Sequence, residues 1–460
     1  MPYNQEFIHA LIVDDQKCIR CTHCVKICPT EAIRIVNGSV VIREERCVDC
    51  GECVRACPQG AIDIDHDDLS RINEYKNKVI LFPSVFWAQF PDRLSEDQVY
   101  TALQKIGFTH VYEVEQPIAV LKNVVRKQIK SNQSEYPIIS SFCPAIVRLI
   151  QIRYPSLTEN ITRVKAPHDL SAHYILDKLS ADGLDPAETG VFYVTPCVAK
   201  IAAVKSPVGE NRSIITGVIS PKDLFNKVMS IVDDIQAEDC RYLRKELTKE
   251  GIQWSLTHGE TWWQNTRTMA VDGIHNAIKI LERIENDEIA GIDFLELRAC
   301  DRSCAAGVLL PQNRFLTVEK LKRRAKRYPS AEKKSQTEGD ERFMHLESKV
   351  LTGEINPRPL LRFGSDMEMA MSRMQRARNI MCHLPGIDCA ACGAPTCQAL
   401  AEDMANRKAK MSDCIFIQQL WQKNGKVPAE KAFKRMEKKW GEKRFDPDCT
   451  KIGAKNETNR

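Results

Sequence analysis

The sequence predicts three folded parts in a row: a small α+β module, an α/β domain and a small, mainly helical module. Three observations carry this reading. A cysteine motif is written twice within residues 1–72. Short β-branched or aromatic runs then alternate with helical patterns over residues 76–325. Five further cysteines crowd into residues 360–420.

In the first part, Cys18-Ile19-Arg20-Cys21-Thr22-His23-Cys24-Val25-Lys26-Ile27-Cys28-Pro29 recurs as Cys47-Val48-Asp49-Cys50-Gly51-Glu52-Cys53-Val54-Arg55-Ala56-Cys57-Pro58. Each run is followed by an Ala-Ile pair, Ala32-Ile33 and Ala61-Ile62. Between them two short apolar runs flank Asn37-Gly38, a hairpin signal. In C-x2-C-x2-C-x3-C-P, three thiolates wrap one cubane from a single loop and the fourth points to the other cluster. That crossover assigns Cys18, Cys21, Cys24 and Cys57 to one [4Fe–4S] cluster, and Cys47, Cys50, Cys53 and Cys28 to a second. Zinc ribbons and disulfides are the alternatives, but zinc motifs rarely place four cysteines this densely, twice. This part resembles the bacterial two-cluster ferredoxins over its whole length.

The chain has 460 residues, a formal net charge of +5 and 19 cysteines. That charge is too mild to argue for nucleic acid. The N-terminal stretch has early acids and no sustained apolar run, so no secretory signal is expected. No apolar stretch reaches the length of a membrane span. Clustered cysteines in a long chain fit thiolate metal ligands in a reducing, cytoplasmic compartment.

Over residues 76–325, Lys78–Phe82, Tyr136–Ser140, Gly190–Val194 and Gly291–Leu297 read as strands. Segments 172–179, 221–232 and 274–284 read as helices. An α/β domain with a substantially parallel sheet follows. Cysteines sit just after three of these strands: Cys143, Cys197, and the pair Cys300 and Cys304. Ligands of open α/β sheets gather outside the carboxyl ends of strands, so three loops could bring four thiolates to one cluster. Cys300 and Cys304 would share a face if their loop starts a helix. Spacing alone leaves open that these are buried structural cysteines.

Ser140-Ser141-Phe142-Cys143-Pro144-Ala145, Thr195-Pro196-Cys197-Val198-Ala199-Lys200 and Ala299-Cys300-Asp301-Arg302-Ser303-Cys304 together resemble the catalytic domain of the [FeFe]-hydrogenases. That family holds its H-cluster, a cubane joined by one cysteine to a diiron site, with T-S-C-C-P-x-W, M-P-C-x-x-K-x-x-E and E-x-M-A-C-x-x-G-C-x-x-G-G-G. The resemblance implies that Cys143, Cys197, Cys300 and Cys304 ligate a cubane. It makes Cys304 the bridging thiolate. If a diiron site is present, Lys200 sits against its cyanide as the one catalytic residue carried over. The departures are Phe142 for the proton-delivering cysteine, Ile146 for tryptophan, Ala203 for glutamate, Arg298 for methionine, and Ser303, Val308 and Leu309 for glycines. Only Gly307 of the three closing glycines remains. A cubane is therefore expected, and the changed surroundings speak against a diiron subsite and fast hydrogen turnover.

Residues 326–355 read as a charged linker. In 360–420, Cys389, Cys392, Cys397 and Cys414 give C-x2-C-x4-C-x16-C, with Gly393 permitting a tight turn. This resembles the small [4Fe–4S] domain of Rnf-type B subunits and corrinoid iron–sulfur proteins, which is also appended to hydrogenase-like sensors. The four are expected to ligate one cluster, leaving Cys382, Cys240 and Cys449 as ordinary thiols. Residues 421–460 read as a basic helical tail with a surface helix.

Together the order resembles the divergent [FeFe]-hydrogenase-like proteins of anaerobic bacteria: an α+β ferredoxin module, an α/β [FeFe]-hydrogenase-like domain and a small, mainly helical [4Fe–4S] domain. The resemblance implies a multi-cluster electron-transfer protein, working as an accessory or weakly active subunit. A redox partner protein or other hydrogenase or oxidoreductase subunits would be its partners. It leaves open a ferredoxin-linked [FeFe]-hydrogenase, 2 H⁺ + 2 e⁻ ⇌ H₂, and a hydrogen or redox sensor. Sensors of this type commonly carry a further signalling module, so the relay is the first expectation.

Overall fold

The structure is a computed structural model that describes residues 8–132, 137–235, 247–262, 264–330, 346–358 and 366–442. Cys240 and Cys449 lie outside the described residues, as do 331–345 of the charged linker and 443–460 of the tail. The chain forms two compact units. The smaller gathers residues 12–47, 52–63 and 360–460, and the larger holds 1–11, 48–51 and 64–359.

The smaller unit begins with the duplicated motif, apart from Val48–Gly51 of its second copy. Strands β1 (Leu11–Val13), β2 (Ile33–Val36), β3 (Ser39–Ile42) and β4 (Ile62–Ile64) pair as β1–β4 and β2–β3. The β2–β3 hairpin is antiparallel, with Ile33 opposite Ile42 and Val36 opposite Ser39. Asn37 and Gly38 both take positive φ, 51° and 79°, as a two-residue turn of this hand requires. Short helices His23–Ile27 and Glu52–Ala56 carry Cys24 and Cys53.

The larger unit carries β5 (Asn77–Phe82), β6 (His110–Glu113), β7 (Ile138–Ile139), β8 (Thr189–Val194), β9 (Gly217–Ile219), β10 (Thr268–Asp272) and β11 (Phe294–Arg298). The expected parallel pairing is present, divided between two sheets. β6-β5-β8-β9 and β10-β11-β7 are separate sheets, each wholly parallel. β8 and β11 are buried at every residue, which is why they read as apolar runs without alternation. The expected helices form at Pro167–Ala181, Pro221–Met229 and Ile274–Glu285. Two start on proline, whose fixed φ suits a first turn. Edge-to-face pairs Phe82–Phe86 and Phe82–Tyr100 pack the core of the four-stranded sheet. Beside them the buried Arg324 guanidinium is held by Glu96 and Glu113. Within 346–355 of the linker, Leu346 and Val350 are fully buried, and the Lys165 N–H donates to the Val350 carbonyl.

In the smaller unit, residues 366–442 supply helices Met367–Met381, Cys397–Ala405, Ile415–Lys423 and Ala429–Trp440. The last, expected as a surface helix, buries Ala432 and leaves its other residues exposed or half-buried, and the Trp440 indole donates to the Ala391 carbonyl at 3.2 Å. Among the described residues no helix is long and apolar enough to cross a membrane.

Candidate metal centres

Cys18, Cys21, Cys24 and Cys57 line one cavity, walled by Val13, Ile19, Val40, Ala61 and Ile62. The fourth cysteine of the second motif thus joins the first three of the first motif. Burial, then the charges of Cys18, Cys21 and Cys57, push the Cys24 thiol up to about 12. Cys53 is pushed up by burial and then by Cys28 and Cys24. Thiols so placed do not ionise unaided; a bound cation supplies the missing charge. The repeated Ala-Ile pairs also gain a reason. The Ala32 N–H donates to Cys28 Sγ and the Ala61 N–H to Cys57 Sγ, each at 3.2 Å. Cys47 is buried and Cys50 partly so.

In the larger unit, the three loops leave the carboxyl ends of β7, β8 and β11, strands drawn from both sheets. Cys143 caps the helix Pro144–Arg153 and Cys197 caps the helix Val198–Lys205. Gly307 explains how the second and third loops meet. A Cβ there would lie 2.2 Å from the Pro196 carbonyl oxygen, and the Leu309 N–H donates to that oxygen at 3.2 Å. The Lys200 ammonium reaches Cys304 Sγ at 3.7 Å. Burial opposes its charge, but Cys304, Tyr193, Cys197 and Cys143 outweigh burial and hold its pKa above the ordinary lysine value. Burial first, and then Cys304 and Cys143, push Cys197 up to about 12, against the pull of Lys200. Cys143 is raised by burial, with Cys304 among its neighbours. Cys300 is partly buried, and its carbonyl accepts from the Ser303 N–H at 3.0 Å. The loop starts no α-helix at Cys300. Arg302 and Ser303 take positive φ, and only a short 3₁₀ turn, Ser303–Ala306, follows.

Phe142 is buried beside these thiols. Its ring lies 4.3 Å from the Lys200 ammonium and 4.0 Å from the Arg298 guanidinium carbon, measured to the centroid. Arg298 is 1% exposed and pairs with Glu260 at 2.6 Å and Glu296 at 3.5 Å. Burial works against its charge, and the two carboxylates outweigh it. Burial pushes Glu296 up to about 7, against Arg298. Ser140 Oγ donates to Glu260 and accepts from the Phe142 N–H, which fixes the loop before Cys143. Among the described residues, Arg298 Nη1, Ser303 Oγ and Ser255 Oγ are buried without hydrogen-bond partners. Unmatched donors around thiols fit a group rich in acceptors, such as a cluster's sulfides. The sequence reading missed Glu260, Glu296 and Ser140. Glu296 left a trace, an acid inside an apolar strand, and Ser140 opened the first quoted motif without being given a role; Glu260 left none.

In the smaller unit, Cys392 and Cys414 are buried among Ala394, Ala399, Leu400 and Met404. Burial pushes Cys392 up to about 11, with Cys414 and Cys389 adding to it and Lys439 opposing. Cys397 opens its helix; its N–H donates to Asp388 at 2.6 Å. Cys414 caps Ile415–Lys423. Cys382 is exposed.

Three family matches cover these centres. Residues 10–58 match "4Fe-4S dicluster domain", 82–239 match "Iron only hydrogenase large subunit, C-terminal domain", and 384–416 match "Putative Fe-S cluster". This chain is a divergent, hydrogenase-like iron–sulfur protein. The large-subunit match takes in Cys143 and Cys197 and stops before Cys300. Iron hydrogenase 1 of Clostridium pasteurianum is 28% identical over 140 residues, which are 28% of this chain and 24% of that protein. The match therefore spans about a quarter of that relative. Two variants of the [FeFe]-hydrogenase HydA1 from Chlamydomonas reinhardtii, one of them in the apo form, superpose with TM-scores of 0.45 and 0.46. Both are 15% identical to the chain, cover 64% of it and are themselves covered over 96%.

Proposed function

We propose that this hydrogenase-like chain passes electrons among four [4Fe–4S] clusters and a redox partner, as an accessory or weakly active subunit. Cys18, Cys21, Cys24 and Cys57 hold one cluster; Cys28, Cys47, Cys50 and Cys53 a second; Cys143, Cys197, Cys300 and Cys304 a third; Cys389, Cys392, Cys397 and Cys414 a fourth. When bound, the clusters supply one-electron oxidation and reduction. The chain's residues do the rest. Buried thiols bind, the Ala32 and Ala61 N–H groups and the free buried donors near Cys304 face acceptor sulfur, and apolar walls exclude water.

The observation that carries this reading is the clasp of Phe142 between Lys200 and Arg298 beside Cys304. It favours a cubane and disfavours a diiron group. Phe142, in contact with both buried cations, stands where the resembled family has its proton-delivering thiol. A proton reaction also needs a titratable group in reach, and a phenyl ring offers none. The test is maturation with diiron-site assembly proteins followed by infrared spectroscopy. The expected result is cubane resonance signals without CO or CN⁻ bands, and negligible hydrogen evolution. Such bands with rapid turnover would overturn the reading.

The second reading is an active [FeFe]-hydrogenase. The 3.7 Å contact of Lys200 with Cys304 favours it, because the resemblance puts that lysine at a diiron site. A hydrogen sensor would show the bands with little turnover, so the same experiment separates all three.

A further inference from the structure

Within the smaller unit the β2–β3 hairpin of the ferredoxin-like segment lies directly on the loop and helix that carry Cys392 and Cys397. The Ile35 N–H donates to the Gly393 carbonyl at 2.9 Å. Gly393 has φ +81°, and a Cβ there would lie 2.6 Å from the Ile35 carbonyl oxygen. Only glycine permits both that backbone angle and that approach. Next to it, Thr396 Oγ1 donates to Glu31 at 3.0 Å. Thr396 precedes Cys397, and Glu31 closes the turn after Cys28, its N–H donating to the Cys28 carbonyl at 3.2 Å. Arg46, immediately before Cys47, donates to Glu402 at 3.0 Å on the helix that Cys397 opens.

Glu31 follows Cys28 by three residues and Arg46 immediately precedes Cys47, two cysteines of one expected cluster. Ile35 pairs across the hairpin with Val40, which lines the cavity of Cys18, Cys21, Cys24 and Cys57. The Glu31 and Arg46 contacts, whose residues do not line that cavity, therefore point to the Cys28 cluster.

We propose that the terminal cluster exchanges electrons with the ferredoxin cluster that Cys28 helps to hold, across the Glu31–Thr396 and Arg46–Glu402 contacts. This rests on the cluster reading above. The step moves one electron: one cubane goes from [4Fe–4S]⁺ to [4Fe–4S]²⁺ and the other from [4Fe–4S]²⁺ to [4Fe–4S]⁺. No bond forms or breaks and no proton moves. A low-potential one-electron donor, such as reduced methyl viologen in the test, supplies the electron. Tunnelling falls off exponentially with distance, so hydrogen bonds from the residue before Cys397 to the turn after Cys28, and from the residue before Cys47 to the helix of Cys397, make the favoured crossing.

The experiment is paramagnetic resonance of the full chain, reduced stepwise with methyl viologen under anaerobic conditions. Cys392→Ser identifies the terminal signal by its loss. In the unmodified protein that signal should broaden at the potential where its neighbour takes up an electron. Cys53→Ser, which removes a ligand of the Cys28 cluster, should abolish the broadening and keep the signal. Cys24→Ser, which disturbs the other ferredoxin cluster, should leave the broadening in place. Broadening that survives Cys53→Ser or vanishes with Cys24→Ser overturns the proposal. If a variant does not fold, the stepwise titration of the unmodified protein still decides, since a terminal signal of constant shape overturns the proposal by itself. No terminal signal, with iron short by about four atoms, overturns the cluster reading as well; full iron without coupling overturns the wiring alone.

Discussion

The guanidinium of Arg298 lies over the ring of Phe142, 4.0 Å from its centroid, with both side chains buried. At these positions the resembled family has a thioether and a proton-delivering thiol. Here a fixed cation and an inert ring replace them, and the Lys200 ammonium lies 4.3 Å from the same ring's centroid.

The first prediction is electrostatic. Reduction adds negative charge to a cluster, and a buried cation nearby stabilises the reduced form. Arg298→Met removes that cation and leaves Glu260 with the Ser140 hydroxyl but without its ion-pair partner. The central cluster's midpoint should fall by at least about 59 mV, tenfold in a one-electron equilibrium. Arg298→Lys should recover most of the loss. Redox titration followed by paramagnetic resonance reads both, and an unchanged midpoint in Arg298→Met would refute the charge argument.

A second prediction concerns stability of the smaller unit. Asp403 accepts from Arg34 and Arg43, each at 2.7 Å, and all three side chains are largely buried. Removing one partner of a buried ionic group strands the others without compensation. Asp403→Ala should cost about 3–5 kcal/mol, measured by anaerobic urea unfolding of the full chain.

Much of this was legible in the sequence because periodic patterns and tight cysteine spacings are local. The Asn37-Gly38 hairpin and the β5, β7, β8 and β11 strands follow from short-range signals. β6, β9 and β10 were missed; β6 carries His110 and Glu113 at its ends, and β10 is only half-buried. The split into two sheets depends on pairings of β7 with β11 and of β8 with β5, which no local pattern encodes. The same holds for Glu260 beside Arg298. The meeting of Ile35 with Gly393, far apart in sequence, was equally invisible, although Gly393 itself stood out.

A third prediction follows from His168. It is 2% exposed, stacked on Tyr193 at 4.6 Å between centroids, beside Asp169. Burial lowers its pKa from 6.5 to about 4; Asp169 opposes that and Lys200 adds to it. Between those values the unfolded chain binds the proton and the folded chain does not. The stability difference is thus fully present above about 6.5 and is lost as pH falls towards about 4. The slope cannot exceed about 1.4 kcal/mol per pH unit. Unfolding of His168→Gln and the unmodified protein, compared at several pH values in this window, should give a shallower slope for the variant. Equal slopes would mean that other groups carry the acid sensitivity.

The last prediction uses the surviving glycine of the third signature. Gly307 has an ordinary φ, so its value lies in space rather than backbone freedom. A methyl group there would sit 2.2 Å from the Pro196 carbonyl oxygen, far inside any tolerable contact, and the obstacle is backbone, which cannot swing aside. Pro196 precedes Cys197, and Gly307 lies in the turn that Cys304 opens, its N–H donating to the Cys304 carbonyl at 3.0 Å. Gly307→Ala must therefore push the Cys197 and Cys304 loops apart. Cluster ligands tolerate little displacement, so the central site should lose its iron, about four atoms per chain if it holds a cubane. The signals of the ferredoxin pair and the terminal cluster should persist, because none of their cysteines lies on these two loops. Anaerobic iron analysis with paramagnetic resonance reads the two effects separately. Full iron in Gly307→Ala would mean that Cys197 and Cys304 do not share a cluster.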